Sequence, residues 1–177
     1  FIWRKIYFNF LDDAETMKFD PFSHEHLFYE YKLKITKDEI NQVLILFKNT
    51  DTHDQKSTYE YLNVLNFPIL KNLKKQIIHI LDKKKLLLRD NWAQLYNYNN
   101  KHAIHNHYGS FYSGIIYMDG LEPSPTVFYD SLFNMYRHKF KKNTLLMFPS
   151  MIPHEVKNLK TDEQRLIISF NTMKNMK

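Results

Sequence analysis

The spacing of apolar positions changes part-way along the chain. Thr36, Lys37, Asp38 and Glu39 read as a capping box, and Ile40, Val43, Leu44 and Phe47 follow at i, i+3, i+4 and i+7, so a helix is predicted from this point. A polar, loop-like stretch runs from Thr50 to Lys56, after which Ser57 to Glu60 predicts the cap of a short helical turn. Pro68 suits the first position of another helix, with Leu70, Leu73, Ile77, Ile80 and Leu81 facing inward and Lys71, Lys74 and Lys75 outward. Lys83, Lys84 and Lys85 close it. Before residue 36 the pattern is weaker: Leu27 to Leu33 alternates enough to predict a strand or an arm.

From about residue 86 the apolar residues fall in short runs rich in β-branched and aromatic types: Leu86 to Leu88, Trp92 to Tyr98, Gly114 to Met118, Thr126 to Tyr129, Thr144 to Phe148 and Leu166 to Phe170. Turn chemistry such as Asp119-Gly120 and Pro123-Ser124-Pro125 separates them. Helices followed by strands predict an antiparallel α+β fold, mainly β, with the helices buttressing one face of a sandwich or barrel. The 177 residues make one domain, 1–177, in which 1–85 is a mostly helical buttress and 86–172 the β core. Neither part alone covers its own apolar face.

Composition narrows the chemistry. Gly109, Gly114 and Gly120 are the only glycines, where ordinary usage of about 7% gives roughly a dozen; glycine-rich phosphate loops and dinucleotide fingerprints are excluded. All three lie close to a histidine motif, which predicts that backbone freedom is concentrated where the chain bends around it. With no cysteine, disulfides, iron–sulfur clusters, thiolate zinc sites and cysteine nucleophiles are ruled out, and any metal must sit on nitrogen and oxygen ligands. The net charge of +6 is spread along the chain with no clustered basic face, so nucleic acid is not an expected partner. No apolar run has the length of a membrane span and the charged N-terminal stretch lacks a signal-peptide pattern, so a cytoplasmic location is expected.

Candidate chemistry lies among the histidines. His105-Asn106-His107 places two imidazoles at i and i+2, on one face of an extended chain. Phe148 to Pro153 is an apolar strand and a two-proline turn that delivers His154. Arg165 opens the last strand, where alternation puts Arg165, Ile167, Ser169 and Asn171 on one face and Leu166, Ile168 and Phe170 on the other. The first set either faces solvent or lines a polar cavity, in which a guanidinium fork is suited to a carboxylate.

Trp92, then His105-x-His107 with Ser113-Gly114-x-x-Tyr117, then Phe148-Pro149-Ser150 leading to His154-x-Val156-x-Asn158, then Arg165-x-x-x-Ser169-Phe170-Asn171, resembles the 2-oxoglutarate- and Fe(II)-dependent oxygenases of marine bacteria and their viruses, of the prolyl-hydroxylase-like type. The resemblance covers roughly residues 90 to 172. It implies a double-stranded β-helix, or jelly roll, with one Fe(II) at its open end, 2-oxoglutarate as cosubstrate and O2 as oxidant. It also implies His105 and His154 as metal ligands and Arg165 as the holder of the far carboxylate of 2-oxoglutarate. Gln94 and Tyr96, eleven and nine positions before His105, together with Ser169 and Asn171, are further candidates for cosubstrate contacts. The implied activity is a hydroxylase acting on a small molecule or a peptidyl side chain.

The chain departs from the family pattern at two points. His107 stands where a carboxylate is usual, either as a third ligand that makes an all-imidazole site or as a neighbour of the metal outside its ligand set. Ile167 replaces a serine common two positions after the arginine, a role that Ser169 can take. Two other readings stand beside the oxygenase: a cupin-like three-histidine metalloenzyme, and a non-catalytic metal- or ligand-binding barrel. Elsewhere, His102 and His138 are expected to be exposed, and His24-x-His26 has no strand or arginine context. Trp92, Tyr117 and Phe128 are expected in the core, Asn158 is expected to close the turn after His154, and residues 50 to 60 and 120 to 143 are expected to choose the substrate.

Overall fold

A computed structural model gives the architecture of residues 8–11, 14–18, 27–48, 56–59, 63–120, 126–130, 134–157 and 164–176. His24, His26 and Asn158 lie outside these residues, as do parts of both loops expected to choose the substrate. In chain order the strands are β1 (Phe8–Leu11), β2 (Ala14–Lys18), β3 (Leu27–Lys32), β4 (Lys56–Ser57), β5 (Leu86–Tyr96), β6 (His102–His105), β7 (Tyr112–Asp119), β8 (Thr126–Tyr129), β9 (Met135–His138), β10 (Thr144–Pro149), β11 (His154–Val156) and β12 (Arg165–Lys174). Helices α1 (Lys37–Ile45) and α2 (Lys71–Lys83) fall between β3 and β5.

The strands form two antiparallel sheets: an eight-stranded one in the order β1-β2-β3-β10-β7-β12-β5-β4 and a four-stranded one in the order β6-β11-β8-β9. Among the described residues, the first 85 are not helical alone. They contribute two helices together with four strands, and β3 pairs with β10 inside the large sheet. Ser57 belongs to the short strand β4, paired with Gln94 of β5, and its hydroxyl accepts the amide of Tyr59 in a local turn.

Helix α1 starts as its sequence predicts. The Thr36 hydroxyl accepts the Glu39 amide and the Glu39 carboxylate accepts the Thr36 amide, satisfying two otherwise unpaired donors. Pro68 opens a tight 3-10 turn, Pro68–Leu70, that runs into α2, and Leu73, Ile77 and Leu81 of α2 are fully buried. Each such side chain contributes about 1.5–3 kcal/mol on burial.

Strand alternation divides the core in two. Leu145 and Met147 of β10, Ile116 and Met118 of β7, and Leu166, Ile168 and Phe170 of β12 join the apolar layer beneath the helices. Their alternates Leu146, Phe148, Ile115, Tyr117 and Ile167 turn the other way and pack on Phe128 and Val156 of the small sheet. Trp92, Tyr117 and Phe128 are buried, as the sequence predicts. The face of β12 that carries Arg165 and Ser169 thus lines the space between the sheets.

The glycines divide by task. Gly109 (φ +82°) and Gly120 (φ +139°) occupy backbone conformations that other residues rarely adopt. Gly114 does not bend the chain. A Cβ there would lie 2.1 Å from Phe170 Cζ, so its role is to let the Phe170 ring cross directly opposite it. Other left-handed turns fall to Lys85, Asn99 and Asn143, two of them the residue type that tolerates this conformation best after glycine.

Candidate metal centre

His105 ends β6 and His154 begins β11, and the two stand directly opposite each other in the small sheet. His107 lies two residues past β6, and its amide donates to the Ser150 carbonyl at 2.9 Å. Ring centroids are 4.3 Å apart for His105 and His154, 5.1 Å for His105 and His107, and 5.2 Å for His107 and His154. One nitrogen from each of the three lies within 4.8 Å of the others.

The donor atoms are set by backbone contacts. His105 Nδ1 lies 2.7 Å from the Ala103 carbonyl and His154 Nδ1 3.0 Å from the Ile152 carbonyl. A carbonyl only accepts, so both Nδ1 atoms carry the hydrogen and both Nε2 atoms present lone pairs. Burial holds His154 well below the ordinary imidazole pKa, with His105 adding to the effect. Burial likewise pushes His107 down to about 4, helped by His105, and lowers His105 itself. All three rings are neutral at neutral pH, and no proton has to leave before a metal binds.

A polar chain supports His107. The Ser150 hydroxyl contacts that of Ser113 at 2.8 Å, Ser113 donates to Asn171 Oδ1 at 2.7 Å, and Asn171 Nδ2 donates to Asp90 at 2.8 Å. Arg89 joins Asp90 to the Gly109 carbonyl, clamping the turn after His107. Asn171 is thus engaged with the support of His107 and is not gathered with the other cosubstrate candidates. Six residues of strand separate it from Arg165, about 20 Å.

The remaining candidates come together. Opposite pairs on β5 and β12 build one wall of the inter-sheet space: Tyr96 with Arg165, Gln94 with Ile167, and Trp92 with Ser169. Arg165, 1% exposed, donates from Nη2 to the Thr126 hydroxyl at 3.0 Å, and its guanidinium carbon sits 5.3 Å from the Tyr96 ring centroid and 5.5 Å from that of Tyr117. Ser169 donates to Gln94 Oε1 at 3.0 Å. Trp92 packs against His107 at 5.7 Å, and Tyr59, 59% exposed, meets Trp92 edge-on at 4.8 Å, so an aromatic wall leads from solvent to the triad.

His102 and His138 are not exposed. His102 lines the same cavity as the triad, stacked on His105, with Nδ1 at 3.2 Å from Gln94 Nε2 and 3.3 Å from the Tyr96 hydroxyl. Burial, and after it the neighbouring His105, lowers its pKa to about 4. His138 is 4% exposed between Glu30 and Tyr117. Three-residue spacing from His105 would put His102 on the opposite face of a regular strand, and the register shift between β6 and β11, which the sequence does not signal, brings the two rings together. For His138 the sequence offers no signal, because Glu30 is 108 positions away. The cavity among Gln94, Tyr96, His102, Thr126 and the triad measures about 20 Å³, room for about one water molecule.

No protein-family model and no curated protein matches the sequence. Solved structures do match. The viral collagen prolyl hydroxylase of Paramecium Bursaria Chlorella virus-1, in complex with 2-oxoglutarate, aligns with a TM-score of 0.61 at 13% identity over 82% of this chain and 94% of its own. The fold is that of the 2-oxoglutarate/Fe(II) oxygenases. HygX from Streptomyces hygroscopicus, with nickel and 2-oxoglutarate bound, aligns with a TM-score of 0.63 at 10% identity over 84% of this chain and 83% of its own. The epimerase SnoN, in complex with Fe3+, alpha-ketoglutarate and nogalamycin RO, gives 0.63 at 11% identity over 83% and 78%. This oxygenase fold therefore hosts epimerisation as well as hydroxylation. Among the described residues, no helix is long and apolar enough to cross a membrane.

Proposed function

We propose that the chain is an Fe(II)- and 2-oxoglutarate-dependent oxygenase, a hydroxylase built on a double-stranded β-helix. The observation that carries this reading is the convergence of three neutral imidazoles in the same inter-sheet space that buries Arg165. His105, His107 and His154 would hold the metal through ring nitrogens, a donor set that suits Fe(II). Arg165 would take the far carboxylate of 2-oxoglutarate, with Thr126 beside it and Tyr96, Gln94 and Ser169 along the wall between.

When bound, Fe(II) with 2-oxoglutarate and O2 supplies oxidative decarboxylation coupled to oxidation of a substrate. This chain's residues bind, orient and exclude water. Three neutral ligands leave the ion its full +2 charge, so the triad attracts an anionic chelating group while Arg165 neutralises the opposite end of the same molecule. The small cavity sets a condition. A dicarboxylate would enter as His102 moves away from Gln94 and Tyr96. The substrate, a small molecule or a peptidyl side chain, would approach along Tyr59 and Trp92.

The absence of a carboxylate in the triad favours one further reading, the cupin-like three-histidine metalloenzyme. Anaerobic titration of the Fe(II)-loaded protein with 2-oxoglutarate separates them. The oxygenase should show a visible charge-transfer band that Arg165→Ala and the milder Arg165→Lys weaken or remove. Metal binding that ignores 2-oxoglutarate would favour the cupin reading, and failure to bind either would leave a non-catalytic barrel.

A further inference from the structure

A second polar chain crosses the molecule from its surface to Arg165. The Glu30 carboxylate lies 2.9 Å from His138 Nε2, His138 Nδ1 lies 3.3 Å from the Tyr117 hydroxyl, that hydroxyl lies 3.1 Å from Thr126 Oγ1, and Thr126 Oγ1 accepts from Arg165 Nη2 at 3.0 Å. The five residues come from β3, β9, β7, β8 and β12, so the chain passes alternately between the large sheet and the small one. Thr126 and His138 are opposite partners in the small sheet, and the Tyr117 and His138 rings are parallel to within 5°. All but Glu30 are buried, and Lys141 fixes the second oxygen of Glu30 at 2.8 Å.

Donor and acceptor chemistry gives the chain a direction. A carboxylate only accepts, so His138 Nε2 carries a hydrogen, and in the tautomer with Nδ1 bare that atom accepts from the Tyr117 hydroxyl. The Tyr117 oxygen is left to accept from Thr126, whose oxygen in turn accepts from Arg165. Every hydroxyl proton points towards Glu30, and each bond polarises the next. The negative charge of Glu30 is thus linked to Arg165 through Tyr117 and Thr126.

We propose that Glu30 and His138 are positioning residues for the far carboxylate of a dicarboxylate ligand, acting through Tyr117 and Thr126 on the orientation of Arg165. This rests on the oxygenase reading above. The relay acts at one end of the ligand only, so it affects recognition of that carboxylate and leaves the metal-chelating end alone.

The test compares two ligands of the anaerobic Fe(II)-loaded protein: 2-oxoglutarate, and 2-oxobutyrate, which has the same chelating end and no second carboxylate. Glu30→Gln, which keeps shape and loses charge, and Thr126→Val, which removes the hydroxyl, are each expected to weaken 2-oxoglutarate by about five- to ten-fold. In Glu30→Gln, binding of Fe(II) and of 2-oxobutyrate should stay within about two-fold of wild type, an order-of-magnitude margin for an uncoupled site. Thermal unfolding of both variants confirms that they are folded, and Glu30→Asp should recover part of the affinity. Equal weakening of both acids would reduce the chain to a structural lock between the sheets and overturn the proposal, as would unchanged 2-oxoglutarate binding in both variants. A wild-type protein that binds Fe(II) but neither acid would overturn the oxygenase reading and this proposal with it. Wild-type binding with no response in the variants overturns this proposal alone.

Discussion

The imidazole of His102 lies flat on that of His105, with centroids 4.0 Å apart and planes 16° from parallel. The contact ties the first histidine of the triad to a residue that Gln94 and Tyr96 hold from the other side. His102 therefore supports His105 while filling the space beside it.

Emptying that space should help the cosubstrate. His102→Ala ends two hydrogen bonds that a dicarboxylate must otherwise break, each with a net value of about 0.5–1.5 kcal/mol. We expect 2-oxoglutarate to bind about three- to ten-fold more tightly by anaerobic titration, and Fe(II) slightly more weakly as His105 loses its stacking partner. A large loss of 2-oxoglutarate affinity would show instead that His102 holds the ligand.

His107→Asp tests the all-imidazole site. A carboxylate in place of a neutral ring lowers the charge of the loaded site by one unit. Fe(II) affinity should rise and 2-oxoglutarate affinity at the loaded site should fall several-fold, both measurable in one calorimetric series. Parallel changes in the two affinities would place His107 outside the ligand set.

Glu30 predicts a pH dependence of stability. Burial alone would raise its pKa, but hydrogen bonds from His138 and Lys141 outweigh that, and the group is held below its ordinary value of 4.5. The folded state thus binds this proton less tightly than the unfolded chain. The stability it contributes is present above about pH 4.5 and is lost as pH falls through the lowered folded value. Urea midpoints from pH 7 to pH 3 should show a gap between wild type and Glu30→Gln that closes towards the acid end. A gap constant across this range would mean that the carboxylate charge contributes nothing.

Gly114→Ala should destabilise by about 1–3 kcal/mol, the cost of an added methyl in a full core, since its Cβ would overlap a Phe170 ring that is completely buried. Pairing it with Phe170→Leu should recover part of the loss in the denaturation midpoint. No recovery would trace the cost to the backbone of β7 rather than to the ring.

Local chemistry carries most of what was legible in the sequence. The capping box at Thr36 and Glu39 involves neighbours only, and the alternation of Leu166, Ile168 and Phe170 against Ile167 and Ser169 follows from the pleat of one strand. The same pleat brings His105 and His154 into view, because each sits at the end of a strand that the turns around it define. His102 and His138 escaped because β6 and β9 are short and carry few β-branched residues, and because their partners Gln94, Tyr96, Tyr117 and Glu30 come from other strands. Asn171 shares the face of Arg165 but lies six residues further along β12, beside a bulge at Asn171/Thr172. Alternation reports the face of a sheet and carries no information about position along it.

Strand β6 forms the edge of the small sheet and meets β11 at only two register positions, one of them His105 opposite His154. An ion shared by these two rings would act as a cross-strand clip where the backbone ladder is thinnest. Amide exchange over residues 102–105 should then slow on metal loading far more than exchange in β5 or β12, whose pairing is long and central. The edge of the sheet thereby becomes a gauge of occupancy that can be read without any turnover.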